Sequence, residues 1–322
     1  MIYKLIITEK RTGYVWDCAA ITEKVEYTTE RTGSPGTLKF TLIKAGDISF
    51  VEGDEVVFYA DGQRVFYGWV FTKNKDRWGV IDVTCYDRIR YLKANASYNF
   101  YGLTAGEIIA QIAEDFELPI SEIENTNYKI PSLIEQDQSC IDIINEAINQ
   151  TLLNTGTVYV FFDTPDGLCL KAASNMVSDV ILGDRSLVTD YTYKTDIDKQ
   201  TYNSVKLVKP NEETGRADVY EAYDSDNIKR WGLLRLYQQV DGDMNEAQIK
   251  ERAEATLTYY NRRLRTLSLE SIGVLGLNAG QMVYINIENL GDIDLAKYVL
   301  IDRASHTFES DKHEMSLDLY AI

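Results

Sequence analysis

The two histidines, His306 and His313, stand seven residues apart. A hairpin turning between them would bring both imidazoles to one place, where Asp311 or Glu314 could join them as metal ligands. A metal site needs a third ligand at defined spacing, so a cross-strand polar pair is the expectation, with no metal and no cofactor. Four cysteines, Cys18, Cys85, Cys140 and Cys169, are scattered without a CxxC pair and read as reduced core residues. No Gly-x-Ser-x-Gly elbow is present, and no cysteine has a neighbour that would activate it. Carboxylates are abundant, and adjacent ones such as Glu114 with Asp115 or Glu212 with Glu213 invite a glycosidase reading. That chemistry needs two carboxyls about 5 to 10 Å apart across a sugar cleft, which sequence neighbours rarely supply. Gly273, Gly276 and Gly280 lack the following lysine and the strand-to-helix context of a phosphate loop. No catalytic, cofactor-binding or metal-binding residue is therefore assigned, and the chain is not expected to be an enzyme.

The composition limits what these residues could serve. The 322 residues suit two or three domains at roughly 100 to 200 residues each. With 45% hydrophobic residues and 5 prolines the chain is globular. Lys and Arg number 33 against 50 Asp and Glu, a net charge of −17, which disfavours stable nucleic-acid binding and suits a surface that repels phosphates. No apolar run reaches the length of a membrane-spanning helix, so membrane insertion is not expected. The opening Met1-Ile-Tyr-Lys-Leu-Ile-Ile reads as a first strand rather than a leader, for a chain made in a cytoplasm and kept soluble there unless an assembly carries it elsewhere. The 22 tyrosines fit core and interface better than a sugar platform.

Residues 1–97 alternate apolar and polar positions in short runs and should form an N-terminal β-barrel. Its clearest hairpin joins Val56-Val57-Phe58-Tyr59 to Val65-Phe66-Tyr67 through Asp61-Gly62, a primed turn. A second runs from Gly68-Trp69-Val70-Phe71 out to Lys73-Asn74-Lys75-Asp76 and returns at Val80. Residues 98–189 read as an α/β module. Thr104 and Glu107 make a capping box for one helix, Ser139 starts another that stops near Gly156, and a strand pair flanks Thr164-Pro165-Asp166-Gly167. Residues 190–322 read as a second β-barrel domain with an inserted helix near 245–260, started by Asn245 and Gln248. In it, Glu212-Glu213-Thr214-Gly215 joins two strands, Asp224 to Gly232 is a surface turn, and Ser310-Asp311-Lys312 turns the closing hairpin. The fold class is mainly β with an α+β insert: two similar small β-barrels flanking an α/β module.

The two β regions echo each other. Gly53-Asp54-Glu55-Val56, then Phe66-Tyr67-Gly68-Trp69-Val70, then Val83-Thr84-Cys85-Tyr86 run in the same order as Gly280-Gln281-Met282-Val283, then Tyr298-Val299-Leu300-Ile301, then Leu317-Asp318-Leu319-Tyr320. Any two antiparallel regions share some of this; a duplicated barrel is the sharper reading. Three copies of such a chain would place six similar barrels around one axis.

These strings resemble the baseplate hub proteins of contractile phage tails and tail-like bacteriocins, in the branch typified by the PBSX prophage. The resemblance spans nearly the whole chain. It rests on Gly53-Asp54-Glu55-Val56, Phe66-Tyr67-Gly68, Thr104-Ala105-Gly106-Glu107-Ile108-Ile109, Ile228-Lys229-Arg230-Trp231-Gly232, and the run from Leu267 to Ile322 with Gly280, Tyr298, Ile301, His306 and His313. Trp231 departs from the tyrosine of many relatives. The resemblance implies a non-enzymatic, hub-like homotrimer that adapts the sixfold tail tube to the threefold central spike. It also implies partners among tube, spike, wedge and tail-assembly proteins, and a place in the baseplate of a virion or tail-like particle assembled in the host bacterial cytoplasm. The competing readings are a tail-associated peptidoglycan hydrolase and a carbohydrate-binding adhesin.

Overall fold

The computed structural model describes residues 2–43, 48–211, 216–240, 244–291, 293–309 and 311–320. The sequence-predicted turns at 212–215 and at Ser310, and the carboxylates Glu212 and Glu213, lie outside the described residues.

The chain opens with strands β1 (Tyr3–Thr8), β2 (Val15–Asp17), β3 (Thr22–Glu30), β4 (Thr37–Ile43), β5 (Glu55–Ala60), β6 (Gln63–Lys75) and β7 (Val80–Tyr86). They pair antiparallel in the order β3-β4-β7-β6-β5-β1-β2. Alternation does the sorting: Val56, Phe58 and Ala60 on β5 point inward while Val57 and Tyr59 do not. Asp61 and Gly62 both adopt positive φ, 45° and 81°, as a type I′ turn requires. The two hairpin arms expected around residue 68 are one 13-residue strand, β6, bent by an irregularity between Val70 and Thr72.

A middle module follows, made of β8 (Asn95–Thr104), α1 (Ala105–Asp115), β9 (Ile120–Ile123), β10 (Lys129–Ser139), α2 (Cys140–Thr155), β11 (Tyr159–Thr164) and β12 (Gly167–Ala172). Thr104 Oγ1 accepts from Glu107 N at 3.2 Å and Glu107 Oε2 accepts from Thr104 N at 2.7 Å, the capping box read from sequence. Ser139 caps α2, and Gly156 ends it at φ 70°. The apolar stripes of α1 (Ile108, Ile109, Ile112) and α2 (Ile141, Ile144) bury with Phe100, Leu133 and Leu170.

The next strands move the expected boundary at 189. β13 (Val177–Gly183) and β14 (Val188–Asp196) belong to the C-terminal sheet, where β13 runs parallel to β19 (Met282–Leu290) and β14 antiparallel to β18 (Leu264–Ile272). Their partners lie far along the chain, beyond the reach of local patterning. The expected inserted helix is likewise part of a larger insert, comprising β15 (Ser204–Asn211), β16 (Arg216–Tyr223), α3 (Ser225–Trp231), β17 (Arg235–Gln239) and α4 (Glu246–Tyr260). It closes on its own core of Val205, Leu207, Val240, Ile249 and Ala253. The expected surface turn at 224–232 is the short helix α3, because Asp224 accepts hydrogen bonds from Asp226 N and Asn227 N.

β20 (Ile293–Glu309) and β21 (Lys312–Tyr320) complete the second repeat and establish the duplication. The order β14-β18-β21-β20-β19 repeats β3-β4-β7-β6-β5, antiparallel throughout. The repeat holds residue by residue. Val70 opposes Cys85 as Ile301 opposes Leu319, Leu38 opposes Cys85 as Leu267 opposes Leu319, and Tyr27 opposes Leu38 as Tyr193 opposes Leu267. Gly53 N donates to Val70 O and Val70 N to Asp54 O; Gly280 N donates to Ile301 O and Ile301 N to Gln281 O. Both glycines need positive φ, 90° and 88°.

They differ in surroundings. A Cβ on Gly53 meets nothing within 4 Å, whereas one on Gly280 meets Val160 Cγ1 of the middle module at 2.4 Å. Gly53→Ala should therefore cost about 1–2 kcal/mol for the left-handed backbone. Gly280→Ala should cost that plus about 1–3 kcal/mol of overpacking, read as the gap between the two urea midpoints. Equal losses would mean that Val160 gives way freely.

Candidate assembly surface

Strand β20 is long enough to serve both repeats. Its first half pairs with β19, and its second half, Arg303–Glu309, pairs antiparallel with β3 of the first repeat while β21 holds its other edge. The two repeats thus share one continuous sheet. Phe308, 1% exposed, leaves β20 to enter the first repeat's core, its ring 5.0 Å from that of Phe58. On the solvent face the seam is stitched by Thr28 Oγ1 to Ser305 Oγ at 2.9 Å, Arg31 to Asp302 at 2.9 Å and Arg303 to Glu30 at 3.8 Å.

The two histidines lie beneath this seam. His306 is directly opposite Tyr27 across it, and both imidazoles are buried. His306 Nε2 donates to Leu277 O at 2.8 Å, which leaves Nδ1 to accept from His313 Nε2 at 2.9 Å. His313 also stacks on Phe308 at 4.3 Å, and Gly273 lies so close that a Cβ there would meet the ring at 2.2 Å. This is the cross-strand polar pair. Asp311 and Glu314 are exposed, away from the buried rings, and no group of three or more His, Cys, Asp or Glu residues that could hold a metal occurs among the described residues. Burial lowers the pKa of His306, and burial together with His306 brings that of His313 down to about 4.

A second cluster joins the first repeat to the middle module, and nothing in the sequence marked it. Arg88 is buried and grips Asp163 with Nη1 at 3.0 and 3.2 Å, donates to Thr164 O and Pro165 O, and lies over the rings of Tyr67 and Trp69. Asp87 beside it accepts from Gly36 N at 2.7 Å and Ile89 N at 3.0 Å. Burial holds Asp87 well above the usual carboxylate range, reinforced by the charge of Asp163, which burial raises in turn. These two carboxyls border a cavity of about 90 Å³. Arg88 and Asp163 are 75 residues apart, so only the fold brings them together. The adjacent pair Glu114 and Asp115 is on the surface, with Asp115 accepting from Tyr98 OH.

The four cysteines are buried and unbridged, and burial raises the thiols of Cys18, Cys85 and Cys140. A groove of about 530 Å³ runs between the middle module and the insert, lined by Glu135, Asp142, Glu146, Gln238 and Arg252 among others.

The outer face of the shared sheet carries a polar band on β3, β4, β7, β18, β21 and the second half of β20, bordered by Ile43, Ile272 and the aromatic cluster of Trp69, Phe71 and Tyr86. Glu26, Glu30, Asp82, Glu270, Glu314 and Asp318 stand among Thr28, Thr41, Thr84, Ser268, Ser305 and Ser316, with Lys24, Lys39 and Arg303 interspersed. Threonine and serine donors tie the acids down, as in Thr41 to Asp82 at 2.8 Å and Ser268 to Asp318 at 2.5 Å. No helix among the described residues is long and apolar enough to cross a membrane.

A family model described as YQBQ-like matches residues 25–320. The protein YqbQ of Bacillus subtilis (strain 168) is 32% identical over 307 residues, covering 93% of this chain and 92% of the relative. The phage-like element PBSX protein XkdQ of the same organism is 30% identical over 306 residues, with the same coverage of both chains. Among solved structures, the 43 kDa tail protein of prophage MuSo2 from Shewanella oneidensis matches with a TM-score of 0.72 at 13% identity, covering 98% of each chain. The fold is that of phage tail proteins.

The histidine pair makes the seam acid-sensitive. Both pKa values are depressed in the fold, so the unfolded chain takes up protons first. Stability is full above about pH 6.5 and falls as pH drops toward about 4, by up to about 1.4 kcal/mol per pH unit for each imidazole. Asp87 and Asp163, raised in the fold, act with opposite sign, so the informative quantity is the difference between parent and variant. His313→Phe should flatten the fall of the urea midpoint between pH 6.5 and 4 by about one imidazole's slope; an unchanged slope would mean that His313 is already charged in the fold.

Proposed function

The chain belongs to the YQBQ-like family, and from that membership and its duplicated fold we propose that it is the structural baseplate hub of a contractile tail. In this reading three chains form a ring that joins the sixfold tail tube to the threefold central spike. The observation that carries it is the repeat. One chain presents the same five-stranded unit twice, so a trimer offers six near-equivalent units to a sixfold partner and three whole chains to a threefold one. Tube and spike proteins are then its direct partners, with wedge and tail-assembly proteins around it, in a particle assembled inside the host bacterium.

The charge has a use here. The polar face of the shared sheet, with its acids pinned in cross-strand hydrogen bonds, would line the ring's channel and repel phosphates, and the net charge of −17 agrees. The role proposed is mechanical rather than catalytic. Asp87 and Asp163 spend their oxygens on the N–H groups of Gly36, Ile89 and Arg88 and border a cavity of only about 90 Å³, which weighs against this pair as the two carboxyls of a wall hydrolase.

Light scattering of the purified chain, alone and mixed with its tube and spike proteins, tests the reading. A species of three times the 36.7 kDa chain mass is expected, at least with the partners present. A single-chain mass in both samples would overturn it.

A further inference from the structure

The small sheet of the insert ends in an open edge. Among the described residues β17 pairs with β15 alone, in parallel, and the ladder fixes which backbone groups are used. Leu234 O accepts from Ser204 N, and Val240 N donates to Val208 O. Successive residues of a strand turn their N–H and C=O groups to alternate sides, so Leu234, Leu236, Gln238 and Val240 face β15. The backbone groups of Arg235, Tyr237 and Gln239 face away, and no strand among the described residues meets them.

At its C-terminal end this strand borders the groove of about 530 Å³ against the middle module, where Gln238, Gln239 and Val240 form one wall. A second cavity of about 240 Å³ shares Gln150 and Arg252 with it, so the hollow is a track rather than a pit. Opposite β17, helix α2 presents Asp142, Glu146 and Gln150, and β10 adds Glu135 and Gln138. Ser139 and Gln150 donate to Asp142 and Glu146, and neither donor carries a charge. Arg252 is 3.7 Å from Glu146, too far for a hydrogen bond, and its buried Nε has no partner among the described residues. Three carboxylates against one guanidinium make the groove a place for positive charge, while the guanidinium itself is short of acceptors.

We propose that this groove binds an extended segment of another polypeptide, carrying lysine or arginine, which adds as a fourth strand to the open edge of β17. The site is contained within one chain and holds whatever the number of chains in an assembly. A bare strand edge is a template for main-chain pairing, and the wall chemistry selects what pairs. The carboxylates take the cationic side chains, and the carbonyls of the segment supply the acceptors that Arg252 lacks. The side-chain amides of Gln138, Gln238 and Gln239 donate and accept as a peptide backbone does. A compact small molecule is a poorer fit, because such ligands are held mainly by apolar and aromatic walls and no aromatic side chain lines this groove among the described residues.

Binding of defined peptides, read by titration and by hydrogen exchange of the whole chain, tests the site. The probe is a short peptide of alternating threonine and lysine; it should bind and protect the amides of Tyr237 and Gln239. The same peptide N-methylated at alternate amides keeps its charge but cannot add a strand, and should bind about tenfold more weakly. A threonine–glutamate peptide should not bind. Gln239→Pro removes an outward N–H and leaves the ladder to β15 intact, so it should weaken the lysine peptide about tenfold, whereas Gln239→Ala should not. Glu146→Gln should weaken it as well, with the urea midpoint of each variant reporting that the fold is kept. Equal binding of the N-methylated peptide, or an unchanged affinity in Gln239→Pro, would mean that charge alone holds the peptide and would overturn strand addition. Protection confined to other strands, or no binding at all, would overturn the site. Protection of the same amides by peptidoglycan fragments and not by the peptide would overturn the choice of ligand.

Discussion

Everything in this fold depends on one strand serving two repeats. A β-strand offers two edges, and β20 fills one of them by changing partner halfway, from β19 to β3, while β21 holds the other from Leu300 to Glu309. That change of partner is what makes two repeats one body. It also explains why residues with little in common in sequence meet under the seam: Tyr27, His306, Phe308 and His313 stack across the junction, and Phe58 meets Phe308 edge-on. A buried imidazole pair in such a place is a compromise. Each ring gives the apolar stack an aromatic face and still needs hydrogen bonds, which Leu277 O and the partner ring supply for all nitrogens but His313 Nδ1.

The middle module is fastened differently. There the joint is polar: a buried guanidinium held by a carboxylate, two carbonyls and two aromatic faces. A buried ion pair contributes little net stability but is costly to break, so it fixes orientation more than it adds strength. Gly280 packed on Val160 gives the second repeat an equally close contact with the same module. The module is therefore wedged between the repeats, and the geometry of each with respect to the other passes through it as well as through the seam.

How much of this was legible depended on distance along the chain. The Asp61-Gly62 turn, the capping boxes at Thr104 and Asn245 and the stop at Gly156 were readable because each feature lies within a few residues of its cause. The duplication was readable because both copies keep Gly, the apolar alternation and the closing Tyr in order. By contrast β10 carries Pro131 inside a polar stretch and does not look like a strand, and β13 has no local signal for which sheet it joins. The histidines could be paired from sequence, but not placed under a seam, because that depends on β3. Arg88 with Asp163 left no trace at all, since neither residue has an unusual neighbourhood in the chain.

The seam also sets a timetable. Thr28 and its partner Ser305 are separated by 277 residues, so a nascent chain exposes β3 and lacks Phe308 until all of that intervening chain has been made. At bacterial-like rates of about 5 to 20 residues per second that interval is roughly 15 to 55 s. Throughout it the first repeat has an open core and an unpaired edge, the two features most apt to recruit a neighbouring chain out of turn. The second repeat is delayed too, because the insert separates β14 from β18. Completion of the first repeat is thus a signal that synthesis has passed β20, and a product truncated before β20 would have no seam with which to enter an assembly.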